Sequence, residues 1–174
     1  MGPNPNPTAN FVEDAYVSQS VSQQEFRETL ALWPSGVTVV TARVGDLPLG
    51  MTVSSFSSLS LDPPLILACI AKSAKSHDGI VRADGFAVHV LARDQEDISR
   101  LFARPGPEKF DEVPTDAGLF GAPLLPLGVA RLVCSHEAGV DGGDHTILIG
   151  RVLEVARTDL SPLLYWDRDY RSAT

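Results

Sequence analysis

Apolar residues in this chain fall mostly in short runs or at alternate positions, with few at helical spacing. Such a pattern predicts strands. Val37 to Val44 is rich in β-branched residues, Gly45-Asp46 is a turn signal, and Leu49 to Phe56 resumes an extended run, so this region reads as a hairpin. Further strands are expected at Leu65 to Ile70, Phe86 to Leu91, Val129 to Ala138, Thr146 to Ala156 and Leu163 to Trp166. The run at 65–70 is apolar on both faces and therefore reads as a central strand. Helical spacing is confined to short pieces. Phe26, Leu30 and Trp33 share one face behind a Ser22–Glu25 capping box, predicting a helix over Gln23 to Leu32 that Pro34 terminates. Asp78 to Ala83 is a second short helix. A third covers Gln95 to Ala103, with Asp94 as N-cap and Ile98, Leu101 and Phe102 on its inner face.

Strands joined mostly by hairpins, without regular strand–helix alternation, point away from a doubly wound sheet and toward an antiparallel barrel. The expected fold is mainly β, with six to seven antiparallel strands and a few short helices. Residues 1–20 open with alternating prolines and read as a disordered tail, leaving 21–174 as one domain. Arg104 to Gly128 carries Pro105, Pro107, Pro114, Pro123 and Pro126 and reads mostly as loop, of a length that is uncommon unless it covers something.

Composition narrows the function. A formal net charge of −8 disfavours non-specific binding to nucleic acid or to an anionic membrane. It leaves room for a locally positive site. No apolar run approaches the roughly 20 residues of a membrane span, and no signal peptide is evident, so a cytoplasmic protein is the default expectation. Cys69 and Cys134 lie in apolar runs and read as reduced core cysteines. His77, His89, His136 and His145 show no metal-ligand spacing, and no metal is expected.

Three polar stretches remain as candidate chemistry. The stretch Gly50 to Leu65 (GMTVSSFSSLSLDPPL) carries Thr52, Ser54, Ser55, Ser57, Ser58 and Ser60 and no charge before Asp62. It reads either as a solvated serine-rich loop or as a hydroxyl-lined turn suited to a phosphate or a planar heterocycle. Lys75 with Ser76 offers a cation and a hydroxyl for a phosphate, or a solvated side chain. Gly143-Asp144-His145 permits close backbone approach beside an imidazole, or is a hairpin turn with an exposed histidine. P-loop, Rossmann and G-x-S-x-G motifs do not occur, and no carboxylate pair stands out.

Four segments, taken together, resemble the short-chain flavin reductases, the reductase components of two-component monooxygenases that share a diffusible flavin. They are WPSGVTVVT (Trp33 to Thr41), GMTVSSFSSLSLDPPL, GFAVHVL with Phe102 downstream, and GGDHTILIG (Gly142 to Gly150). Pro162 to Tyr170 is similar as well, so the likeness runs from Phe26 to Tyr170. It departs at His89 and Ser54, where relatives often carry Asn; His89 reads as a structural substitution.

The resemblance implies an FMN-binding split barrel of Greek-key type and a homodimer with flavin sites near the subunit interface. It implies a flavin ring along Met51, Thr52, Val53 and Ser54, approached by Pro34 and Ser35. Ser55, Lys75 and Ser76 would take the phosphate, with Cys69, Ile70, Ala71 and Phe102 as walls. Gly143, Asp144 and His145 would receive the nicotinamide, His145 being the catalytic candidate, and Tyr170 would close over it. The implied activity is hydride transfer from NADH or NADPH to FMN or FAD, with reduced flavin passed to a separate monooxygenase. Arg151 and Arg168 are the arginines considered for the extra phosphate of NADPH. The rival readings are a flavoprotein that keeps its FMN and turns over its own small substrate, and a non-catalytic flavin- or haem-binding module.

Overall fold

The computed structural model describes residues 21–172. The tail expected at 1–20 lies outside them. The chain divides into two units, Met1–Trp33 and Pro34–Thr174. In the first, α1 (Gln23–Ala31) begins at the expected capping box: the Glu25 amide donates to Ser22 Oγ at 3.2 Å, and the Ser22 amide donates to Glu25 Oε2 at 3.0 Å.

The second unit is built on a seven-stranded sheet. Its strands are β2 (Thr38–Val44), β3 (Leu47–Val53), β4 (Phe56–Leu61), β5 (Pro64–Ala71), β6 (Gly85–Val90), β9 (Ala130–Gly142) and β10 (His145–Arg157), in the order β3-β2-β6-β9-β10-β5-β4 and antiparallel throughout. The two outermost strands, β3 and β4, are consecutive in the chain and joined only by Ser54-Ser55. A link that short spans roughly 10 Å, so the sheet must curl until the end of β3 reaches the start of β4. The burial pattern agrees. One face of the strands converges on a single interior cluster that includes Val40, Val53, Ile70, Phe86, Cys134 and Leu148, closed at one end by Ile80 of α2 (His77–Arg82).

The opposite face of β2 is also covered, which is why five consecutive residues of that strand are buried. Val37 and Val39 meet Leu101 and Phe102 of α3 (Glu96–Ala103) and Leu163 of β11 (Leu163–Trp166) in a second cluster. β11 sits between β1 (Ser35–Gly36) and β12 (Asp169–Ser172) in a small sheet. Two further short strands, β7 (Asp116–Ala117) and β8 (Pro123–Leu124), pair within the proline-rich segment, which also holds two 3-10 turns.

Several local expectations are corrected. The serine-rich stretch is not a turn: it is the end of β3, a two-residue link and the whole of β4, extended because pairing with β5 overrides weak local preference. The glycine-rich turn at 139–145 shrinks to Gly143-Asp144, since β9 runs to Gly142 and β10 starts at His145. Gly143 takes φ of +78°, which the turn requires. The N-cap of α3 is Gln95 rather than Asp94, because the chain first turns through a Gln95 amide to Ala92 carbonyl bond. Of the two cysteines, Cys134 is buried while Cys69 is only partly so; both are free thiols.

His89 is fully buried, 1% exposed. The Thr41 hydroxyl donates to Pro123 O at 2.6 Å, so His89 Nε2–H must donate to Thr41 Oγ1, at 3.1 Å, and Nδ1 meets no protein donor. Burial pushes the imidazole pKa down to about 3. The unfolded chain takes up this proton below about 6.5 and the folded chain does not. The stabilisation is therefore complete above pH 6.5 and is lost as pH falls toward 3, at up to roughly 1.4 kcal/mol per pH unit. Urea titrations of wild type and His89→Asn at pH 7 and pH 5 should show the wild type losing more stability on acidification, by about 2 kcal/mol. Parallel losses would contradict this origin.

Candidate functional site

Strand β3, contributing residues from both of its faces, encloses with the C-terminal end of α3 and the turn after β5 a cavity of about 530 Å³. Alternation along β3 builds it. Met51 and Val53 pack toward the barrel interior, while Gly50 and Thr52 face α3. The Thr52 hydroxyl donates to Ser99 O at 2.6 Å, locking strand to helix. At Gly50 the backbone passes so close to Phe102 that a Cβ would stand 2.8 Å from its ring. Phe102 in turn meets Phe110 edge-on, with ring centroids 5.1 Å apart.

The lining combines apolar surface from Leu47, Leu49, Met51 and Phe102 with three cations, Lys75, Arg104 and Lys109, and includes no acidic side chain. On a protein of net charge −8 this is a local reversal of sign. Glu112 meets Arg104 at 3.4 Å from outside the lining. An apolar cleft with an excess of positive charge fits an amphipathic anion: a flat ring with a phosphate attached.

The sequence-predicted residues divide among five places. Met51, Thr52, Lys75, Ser76 and Phe102 line the cavity. Ser54 and Ser55 are exposed at the barrel seam, where Ser55 Oγ donates to Cys69 O at 3.1 Å and Ser55 O accepts from the Cys69 amide. Cys69 and Ala71 are partly exposed on β5, whereas the side chains of Val53 and Ile70 belong to the core, leaving only their backbone to a ligand.

Gly143, Asp144 and His145 form the β9–β10 tip, where His145 stands opposite Ala71. His145 Nδ1–H donates to Asp144 Oδ1 at 2.7 Å, which lowers the Asp144 pKa; in the neutral ring Nε2 then carries the lone pair. Pro34, Ser35 and Tyr170 lie apart from the cavity lining. Ser35 pairs with Tyr165 and Tyr165 with Tyr170 in the small sheet. Tyr170 nevertheless connects to the cavity wall: its hydroxyl is 2.8 Å from Ser99 Oγ, and the Ser99 carbonyl is the group that holds Thr52.

Three contributors escaped sequence reasoning. Lys72 forms an ion pair with Asp141 and donates to Gly143 O at 2.6 Å, while its amide donates to Asp144 O at 2.9 Å. It pins the hairpin tip to the end of β5. Ser99 and Lys109 sit in unremarkable contexts. Only Lys72 had a local signal, its place in the polar turn that also contains Lys75.

The main sheet is a curled antiparallel barrel, and beside it lies a cavity lined by cations and no acidic side chain. A family model described as "Flavin reductase like domain" matches residues 30–174, and the chain belongs to that family. It is 42% identical over 153 residues to the FMN reductase (NADH) SmoA of Agrobacterium fabrum, covering 88% of this chain and 87% of the relative. It is 33% identical over 159 residues to HsaB of Rhodococcus jostii, the reductase subunit of a flavin-dependent monooxygenase, covering 91% and 82%. Among solved structures, the NADH:FAD oxidoreductase SgcE6 of Streptomyces globisporus, in complex with NAD and FAD fragments, superposes with a TM-score of 0.83 at 37% identity, covering 90% of this chain and 97% of that one.

Lys72→Met should free the tip from β5 without touching the cavity. Amide hydrogen exchange at Gly142 to His145 is expected to accelerate about tenfold or more, with exchange in β2 and β6 unchanged. Equal protection in both proteins would show that the ion pair does not hold the tip.

Proposed function

We propose that this protein is an NADH:flavin oxidoreductase that reduces FMN or FAD and delivers the reduced flavin to a separate monooxygenase component. The cavity supports this: its walls are apolar and its lining holds cations but no acidic side chain, which suits a flavin nucleotide. Family membership and the reductases named above support the same reading.

In this reading the flavin ring lies against the seam side of β3, along Met51, Thr52, Val53 and Ser54, with Pro34 and Ser35 near its edge. Ser55, Lys75 and Ser76 hold the phosphate end, and Cys69, Ile70, Ala71 and Phe102 form the walls. When both are bound, the nicotinamide supplies the hydride and the flavin accepts it, so the hard chemistry belongs to the cofactors. The chain's own task is to align the rings and exclude water. Gly143 and Asp144 offer backbone close to the nicotinamide, His145 orients it, and Tyr170 closes over the site from β12. The absence of a general acid–base pair in the cavity lining is consistent with that division of labour.

Arg151 pairs with Glu137 through two bonds of 2.9 and 3.0 Å. NADH is the nicotinamide we propose, as in the NADH-dependent relatives named above. We further propose a homodimer, supported by exposed apolar side chains on edge strand β4: Leu59 is 46% and Leu61 96% exposed. Among the described residues no helix is long and apolar enough to cross a membrane. The cytoplasm is the compartment we propose, consistent with two free thiols.

Loss of NADH absorbance with free FMN or FAD tests the activity directly; no consumption with either flavin would favour a non-catalytic binder. His145→Ala should raise KM for NADH about tenfold or more while changing flavin affinity less than about twofold. Unchanged NADH kinetics would remove His145 from the site. Light scattering on the purified protein should give twice the chain mass, and a monomer would refute the dimer.

A further inference from the structure

Lys109 is a buried lysine without a carboxylate. It lies in the 3-10 turn Glu108–Asp111, is 6% exposed and lines the cavity. Its Nζ donates to Gly50 O at 2.9 Å, to Phe102 O at 3.4 Å and to Arg104 O at 2.5 Å, and stands 5.4 Å from the centroid of the Phe102 ring. Three acceptors require three N–H donors, which only the charged ammonium has. Two of the carbonyls come from the C-terminal end of α3, where the helix dipole favours a cation. The third belongs to β3 at the point where the strand passes Phe102.

That geometry alone would describe a helix cap. The electrostatics add something. No ion pair neutralises Lys109, and the nearest influences on its charge are Arg104, which opposes it, and Glu108, which supports it. Burial and Arg104 together hold its pKa below the ordinary lysine range, the behaviour of an uncompensated charge. A full positive charge is therefore fixed in the cavity wall, shielded from solvent and with all its donors spent on the protein. It cannot bond a ligand directly. It can set the potential inside the cavity, and low-dielectric surroundings make that potential stronger than an exposed side chain would.

We propose that Lys109 is a positioning residue that makes this cavity select phosphorylated flavins, FMN and FAD, over riboflavin, by fixing β3 to α3 and by supplying unneutralised positive charge. The proposal rests on reading the cavity as a flavin site. It assigns the selectivity jointly to a buried field and to direct contacts from Lys75 and Ser76.

Flavin fluorescence quenching on the full chain tests it through dissociation constants for riboflavin, FMN and FAD. Wild type should bind FMN and FAD more tightly than riboflavin. Lys109→Gln keeps hydrogen-bond donors but removes the charge, and should cut the FMN-to-riboflavin preference about tenfold, the factor that 1.4 kcal/mol represents. Lys109→Arg keeps the charge and should retain the preference even if it melts at lower temperature. Equal loss of riboflavin and FMN affinity in Lys109→Gln would reduce Lys109 to a helix cap and overturn the proposal, as would an unchanged ratio. For the case where the neutral variant does not fold, the ammonium ¹⁵N resonance of Lys109 in wild type is the second measurement: it should shift at least twice as far on adding FMN as on adding riboflavin, and equal shifts would also overturn it. Failure of wild type to quench any flavin would instead defeat the reading of the cavity as a flavin site.

Discussion

A two-residue link governs this barrel. Because β3 and β4 are the two edges of the main sheet and only Ser54-Ser55 separates them, the sheet has no flat alternative. Closure converts one face of the strands into an interior that Val40, Phe86, Ile70 and Leu148 fill, and it leaves the other face of β3 turned outward. The candidate site is built along this edge strand, with residues from both of its faces in the lining.

The site then depends on how few residues bind its walls together. α3 is held to β3 by Thr52 from one direction and by Lys109 from another, and the close pass of Gly50 against Phe102 sets the depth of the cleft. The turn carrying Lys75 and Ser76 leaves the end of β5, where Lys72 also secures the His145 hairpin. Ring stacking requires rigid placement more than acid–base chemistry, and these ties are of that kind: short, polar and directed at backbone groups.

Much of the fold was readable from the chain. The β-branched residues of Val37 to Val44 and the uniform apolarity of Leu65 to Ile70 reported strands correctly because both are buried by neighbours whose demands match local preference. The serine-rich stretch was ambiguous between loop, turn and strand, since an edge strand such as β4 can carry Ser57, Ser58 and Ser60 without an apolar signature. The cavity was legible at Met51, Thr52, Lys75, Ser76 and Phe102 through a joint resemblance. Ser99 and Lys109 were not. A lysine following Pro107-Glu108 looks solvated, and only the fold shows that three carbonyls from two distant elements converge on it.

Ser99 carries a consequence of its own. Its side chain engages Tyr170 of β12, and its carbonyl engages Thr52 of β3. One residue thus couples the terminal hairpin mechanically to the cavity floor. α3 cannot slide along its axis without breaking one bond or the other, and a displacement of β12 reaches β3 through a single turn of helix. The C-terminal strand is in that sense a lever on the cleft, although it contributes no side chain to the lining.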